Sequence, residues 1–560
     1  MKKIYSLLIG SAMLSVSAYA QLNIGTAQFF IQAGGVVTVQ GDLTSSTDIQ
    51  GTGKIVLAGS ANQNVNMNGF TIPNLEMNNT AGATLTGAAK IGTDITFTLG
   101  KISLTTFDLT INSGATITTP TSAKYFVASG TGQLKKGLTA DITDYVMPVG
   151  DGTNYHPALL TVTGGAYASA LIGVRSIGSA DANRPPMMAS YVNTYWPVTK
   201  NGITGGTTTL KGTYNDPEVV GTEANLAGYY FNGTDWSSTS ETHNVATNIV
   251  SAPISGSTGE LYAMNKFVGL GARAFLGGPF NTGTGVMDDL LRTPSNSIPT
   301  SDPYRTTPYN TYIAPNIYTH VNNATTENLI GTPLADQGTP ANNIVDWVFL
   351  ELRNNGASPG NTLLETRSAL IQKDGDIVDV DGTSPVTFNN IVGGNYAVTV
   401  RHRNHLGLGL DPVTSTKPLS ETKSIAYTGN LIDFSTLPDA QLYGTSSAYQ
   451  VKTVTTPSPY NVNVMWAGDA NGDGKVKYAG TSTDPSTILN QVIAFPGNVT
   501  GLYNYNAAFG YFSGDVNMDR KVKYAGTGTD PSPILTNVLA FPLNVSGLYN
   551  FNLFNQQIPN

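Results

Sequence analysis

Two short acidic stretches near the C-terminus hold the residues best suited to chemistry. Asp469, Asn471 and Asp473 stand at alternate positions, and Asp515, Asn517 and Asp519 repeat the pattern. Oxygen-bearing side chains at positions 1, 3 and 5 of a curled loop converge on one centre, as in the first half of an EF-hand calcium loop. Position 7 of such a loop offers a backbone carbonyl, here that of Lys475 or Lys521. The ordinary loop closes with a carboxylate at position 12. Gly480 and Gly526 stand there instead, and the next acids are Asp484 and Asp530. Two roles fit these acids: a closing ligand brought in by a short insertion, or the N-cap of a helix beginning at Pro485 or Pro531. An all-oxygen donor set of this kind implies Ca2+. At the sharp-turn position the first loop has Gly474 and the second has Arg520. An arginine is strained at positive φ and brings a cation toward the ion, so the second site is expected to be the weaker.

The two stretches belong to an internal duplication. The segment from Gly468 recurs from Gly514 without a gap, a shift of 46 residues, with 28 of 39 positions identical. After each closing acid an apolar period appears, Ile488, Leu489, Val492 and Ile493 in the first copy, which predicts a short helix per repeat. The expected module spans 456–560.

Little else in the chain suggests catalysis. Among 560 residues there is no cysteine, which removes disulfides, thiolate metal sites and thiol nucleophiles. The net charge of −8 and a charged fraction of 12% supply no basic face for nucleic acid. RHRNHLG, residues 401–407, is the one histidine cluster. On a continuous strand His402 and His405 point to opposite faces, so a shared metal there needs a turn. Asp374, Asp376, Asp379 and Asp381 read either as turn formers or as a third calcium site. Trp196 and Trp236 read as core aromatics or as sugar-stacking platforms.

The elements that must carry these residues are mostly strands. Residues 21–130 break into short Val/Ile/Leu/Thr runs cut by Gly, Asn and Asp, which suits a β-solenoid, with a β-sandwich as the alternative. Residues 131–270 continue as a β-sandwich, and 267–280 reads as a junction. Residues 271–455 suit an Ig-like or transthyretin-like β domain, with a hairpin turning at 373–376. The overall fold class is therefore mostly β, ending in a small α-containing module. At the N-terminus Lys2 and Lys3, an apolar run and Ala18-Tyr19-Ala20 form a signal-peptide pattern over residues 1–20. That apolar run is too short to span a bilayer, and no transmembrane segment is expected elsewhere.

The paired repeats resemble dockerin-type modules, in which two calcium loop–helix units pack about a pseudo-twofold axis. The resemblance rests on Asp469, Asn471 and Asp473 and on Asp515, Asn517 and Asp519. It departs at the insertion before Asp484 and Asp530, at Lys477 and Lys523, and at Arg520. From residue 273 onward the chain is also similar to large secreted proteins of Bacteroidota labelled hemagglutinin- or adhesin-like, through VDWVFLELR, TRSALIQKDGDIVDV and the GDVNMDRKVKY repeat. The resemblance implies a secreted, non-enzymatic cell-surface adhesin on the outer-membrane exterior. Its partners would be glycans or proteins of a host or neighbouring cell, or further copies of the same chain. A self-assembling layer or fibre protein is the alternative. A secreted carbohydrate-active enzyme or its binding subunit, and repeats that dock to a partner module, are further expectations.

Overall fold

In the computed structural model, alternation of buried and exposed residues sets the N-terminal architecture. The structure describes residues 21–560 except 238–242, 294, 313–317, 357–361, 421–430, 445–446, 553 and 560. The signal-peptide reading falls on residues outside those described. Short runs such as Thr71–Asn78 put Ile72, Leu75 and Met77 inward and polar residues outward. Each run buries its apolar row against the next coil, so the strands stack in parallel. Leu22 pairs with Leu43 and Leu43 with Val65, a rise of one coil every 21 or 22 residues. Two long parallel sheets result, with a short third one formed by Phe29–Ile31 and Ile49–Gly51. One contains Val36–Val39, Lys54–Leu57, Thr71–Asn78, Ala89–Leu99, Leu109–Ile111 and Leu134–Leu138. The other runs from Leu22–Asn23 to Val149–Gly150. Of the two N-terminal alternatives, the parallel solenoid is the one observed.

At its C-terminal end the larger solenoid sheet does not stop at a free edge. Leu134–Leu138 pairs in parallel with Leu109–Ile111 on one side and antiparallel with Ala166–Val174 on the other. The same sheet continues through Tyr191–Thr204, Thr258–Asn265, Leu226–Phe231 and Trp236–Ser237. A second, five-stranded antiparallel sheet accompanies it, and one apolar core runs from Ile24 to Ala263. A sheet that changes from parallel to antiparallel in one strand removes an edge that would otherwise template aggregation. Trp196 and Trp236 are fully buried, their indole N–H groups donating to the carbonyls of His156 and Asn183. They are core residues and offer no face to a sugar.

The next region is built on an eight-stranded sheet whose centre is Ile344–Asn354, Leu363–Gln372 and Gly394–His402. Leu363–Gln372 turns into Asp376–Val378 as a hairpin. The tyrosine-rich segment before Ile344 packs Tyr304 and Tyr318 against Phe349. RHRNHLG is not one strand. Gly394–His402 and His405–Gly409 form a hairpin whose turn is Arg403-Asn404.

The repeats supply the two described α-helices, α1 (Asp484–Ile493) and α2 (Pro531–Ala540). Ile488 and Val492 of α1, with Ile534 and Val538 of α2, bury one stripe each in a small core with Trp466, Phe541 and Phe554. After each helix an asparagine ties down the chain. Asn498 donates to the carbonyls of Val492 and Leu502, and Asn544 to those of Val538 and Leu548. Among the described residues no helix is long and apolar enough to cross a membrane.

Candidate metal centre

The two acidic loops fold alike, atom for atom. In the first, Asp469 Oδ1 accepts from the Asp473 N–H and Oδ2 from the Gly474 N–H, both at 3.0 Å. In the second, Asp515 accepts from the Asp519 and Arg520 N–H groups at 3.0 and 2.8 Å. Asn471 and Asp473 each accept the amide two residues on, as do Asn517 and Asp519. These Asx turns curl the backbone about the side-chain oxygens.

Asp530 stands at the N-cap of its helix but makes no side-chain capping hydrogen bond, and Asp484 stands one residue inside its helix. In the first repeat Thr483, not Asp484, is the N-cap residue, a correction to the sequence reading. Each carboxylate instead turns back into the loop. Asp484 Oδ1 accepts from the Ala470 N–H at 2.8 Å and Oδ2 from the Lys477 N–H at 2.7 Å. Asp530 does the same with Val516 and Lys523, at 2.8 and 2.7 Å. The insertion forms a closed turn, because Lys477 and Lys523 send their ammonium groups to the carbonyls of Thr481 and Thr527 at 2.6 Å. The lysines are thereby spent on the insertion.

The key acids of these loops are held away from water. Asp469, Asp484, Asp515 and Asp530 are all buried. Burial first, and then the Asp469 charge, push Asp484 well above the usual carboxylate range. Burial and Asp530 do the same to Asp515. Burial raises Asp530 to about 7. Buried like charges stay ionised only with a counter-charge. The donors are all oxygen, which fits a hard divalent cation better than a transition metal. Asp469, Asn471, Asp473, the Lys475 carbonyl and Asp484 would hold Ca2+ in the first loop. Asp515, Asn517, Asp519, the Lys521 carbonyl and Asp530 would hold it in the second.

The position-7 carbonyls are kept available by a device the sequence did not reveal. Lys475 bridges to Asn555 with the ladder hydrogen bonds made by its neighbours, Val476 N–H to Phe554 and Gln556 N–H to Gly474. Lys521 bridges to Phe509 in the same way, through Val522 to Ala508 and Gly510 to Arg520. In such a pair the central residue's own carbonyl faces away from the ladder. Residues 508–510 and 554–556 lie 46 apart, so they are equivalent tails of the two repeats. Each loop is braced by the tail of the other repeat.

Position 6 keeps its geometry despite the change of residue. Gly474 and Arg520 both have φ of 73°. Arg520 nevertheless directs its guanidinium to Ser295 and lies over the Phe509 ring. The expected cation beside the second site is therefore turned elsewhere. Gly472 also has positive φ, and a Cβ there would sit 2.1 Å from the Tyr312 ring. The tyrosine-rich segment thus packs directly beneath the first loop.

One residue that the sequence did not mark joins both loops to the β body. The Asn404 carbonyl accepts from the Gly468 and Asp469 N–H groups, at 2.9 and 3.2 Å. Its side-chain amide donates to the Ser513 and Asp515 carbonyls, at 3.1 and 2.8 Å. Asn404 is fully buried at the tip of the 401–407 hairpin. Around it, Arg403 and His402 both reach Asp346 at 3.0 Å, and Tyr511 donates to the same carboxylate at 2.6 Å.

The turn does bring His402 and His405 together, their Nδ1 atoms 3.0 Å apart, but the arrangement is a proton chain and not a metal site. His405 Nε2 accepts from the Gly278 N–H, which leaves the proton on Nδ1. Burial holds both imidazoles below their usual range. The four acids at 374–381 are likewise accounted for. Asp376 pairs with Arg273 at 2.7 Å and Asp379 with Arg367 at 2.9 Å, while Asp374 and Asp381 accept turn amides.

Two further groups escaped the sequence reading. Among the described residues, only Asp151–His156–Glu218 and Asp302–His320–Glu327 gather three acid or histidine ligand atoms within 4.8 Å of one another. Opposite ligands of a calcium ion can stand about 5 Å apart, with bonds of about 2.3–2.6 Å, so the repeats need not meet that limit. In the first group His156 is engaged at both nitrogens, by Ser176 and Glu218. In the second, burial and then Arg305 depress His320 to about 4, while burial and Glu327 raise Asp302 to about 7.

Two adjoining pockets, of about 480 and 440 Å3, share Asn183 and Phe231. Asp181 lines one and Glu260 the other. Burial, and then the neighbouring Glu260 carboxyl, raise Asp181 to about 8. This chain matches no family model, no curated protein and no solved structure.

Proposed function

We propose that the protein is a secreted, non-enzymatic cell-surface adhesin whose C-terminal repeats bind two Ca2+ ions and are thereby locked to the β body. The observation that carries this reading is the repeated loop itself. Two copies share one hydrogen-bond pattern about buried acids, and both are fastened through Asn404. An ion that binds only the folded loops stabilises them by mass action. The paired pockets beside Asn183 and Phe231, with polar rims and an aromatic edge, suit a surface glycan or a protein loop.

Calorimetric titration of the purified chain tests the ion. Two equivalents of Ca2+ are expected, with Asp469→Asn and Asp515→Asn each removing one. Binding of the chain to glycan-coated or cell-coated surfaces should then fall on chelation. A chain that binds no calcium, or that adheres equally well without it, refutes the reading.

A second reading, assembly into a layer or fibre, is favoured by the first coil. Val36–Val39 ends its sheet, and Phe30 and Val36 are 67% and 61% exposed. Among the described residues nothing pairs with that edge, and an unpaired edge beside exposed apolar side chains invites another copy. Washing intact cells with a chelator separates the two. Release of sheets or fibres that re-form with calcium selects assembly, and release of monomer selects adhesion.

A further inference from the structure

The tyrosine-rich segment contains a second kind of centre, unrelated to the acidic loops. Asp302 opens a short 3-10 turn and spends Oδ1 on the Tyr304 N–H at 2.8 Å. Its backbone N–H donates to the Glu327 carbonyl, which draws the two ends of the segment together. Asp302 Oδ2 is fully buried and faces Arg305 Nε at 3.2 Å, in an ion pair without hydrogen-bond alignment. It lies 3.4 Å from His320 Nε2. His320 has a side chain nine-tenths buried, and neither of its ring nitrogens has a hydrogen-bond partner. The buried Ser368 hydroxyl lies near the same carboxylate and acts to lower its pKa.

Glu327 divides its work between its two oxygens. Oε1 accepts from Asn323, from Arg367 Nε at 3.3 Å and from the Ser368 N–H at 3.1 Å. Oε2 has one long contact, 3.5 Å from Arg305, among the described residues. Arg305 is itself held by the carbonyls of Asn323 and Thr325, at 2.8 and 2.9 Å. Arg305 and Arg367 face four carboxyls, Asp302, Glu327, Glu365 and Asp379.

We propose that Asp302, His320 and Glu327 form a binding site for a divalent transition ion, Zn2+ foremost. A buried imidazole with neither nitrogen hydrogen-bonded is rare unless something binds it. One imidazole with two carboxylates is a borderline donor set, unlike the all-oxygen loops. Tetrahedral zinc with bonds of about 2.0–2.1 Å places neighbouring ligand atoms about 3.3–3.4 Å apart. The observed 3.4 Å between Asp302 and His320 has that spacing. The ion would staple residues 302, 320 and 327, and so hold Tyr312 in place beneath Gly472.

The test uses the full purified chain in saturating Ca2+, so that the acidic loops are filled, with Co2+ as spectroscopic probe and Zn2+ as competitor. One equivalent of Co2+ with a visible d–d spectrum is expected, displaced by one equivalent of Zn2+. His320→Ala should abolish it, Asp302→Asn should weaken it at least tenfold, and Asp469→Asn with Asp515→Asn should leave it intact. If His320→Ala does not fold, His320→Cys decides, because a thiolate ligand adds a charge-transfer band to the cobalt spectrum. Absence of that band overturns the site. So does a wild-type chain that binds no cobalt, or a His320→Ala chain that binds it as wild type does.

Discussion

Replacing Asn404 by alanine probes the joint between the β body and both loops. The side chain is fully buried and makes three contacts: donation to the Ser513 and Asp515 carbonyls, and acceptance from His405 Nδ1 at 2.8 Å. His405 retains His402 as an alternative partner, 3.0 Å away. The two carbonyls have no such substitute from Asn404, and each buried polar group left unpaired costs about 1–3 kcal/mol. The expected loss is therefore about 2–6 kcal/mol. The backbone half of the joint survives, because the Gly468 and Asp469 amides bond to the Asn404 carbonyl, which alanine keeps. The damage should fall unequally, weakening the second loop, which begins at Asp515, more than the first. Calorimetric melting with and without calcium, together with calcium titration, reads both effects. A loss under about 0.5 kcal/mol, or equal weakening of the two sites, would refute the reasoning.

Other predictions concern the fit of loop and body and the buried acids. Gly472→Ala should destabilise by about 2–4 kcal/mol, since the new methyl meets the Tyr312 ring at φ 67°; Gly528→Ala, at φ 62° in open space, should lose only about 1 kcal/mol. Comparative melts of the two variants check this. Asn498→Ala removes two buried donations and one acceptance and should lose about 2–3 kcal/mol in chemical denaturation. Asp181, raised by burial and Glu260 to about 8, contributes stability in full below its unfolded value near 4 and loses it as pH rises toward 8. The melting temperature should therefore fall between about pH 5 and pH 8, and Asp181→Asn should flatten that slope.

The strand-rich class and the repeat pair were legible in the residues because both are local signals. Short Val/Ile/Leu/Thr runs punctuated by glycine encode strands, and a 46-residue duplication with paired acids encodes two like loops. The helices after Asp484 and Asp530 were legible for the same reason, from Pro485, Pro531 and an apolar period of three and four. The aim of those two carboxylates was not. A capping side chain and a loop-closing side chain occupy the same place in sequence and differ only in the χ angles that tertiary packing selects.

What joins distant segments lay beyond the local pattern. Asn404 is an ordinary turn residue until the 401–407 hairpin places it between Asp469 and Asp515. The tail 554–556 braces the first loop, and 508–510 the second, through a crossing that one repeat alone cannot specify. His320 lies 18 residues from Asp302 and carries no ligand spacing, yet the Asp302–Glu327 pairing brings it to 3.4 Å. The amino-acid sequence by itself determined the periodicities and the chemistry available at each loop. Only the tertiary structure decided which buried groups face one another, because burial removes water as a partner and leaves each charge and amide to whatever the fold brings within about 3 Å.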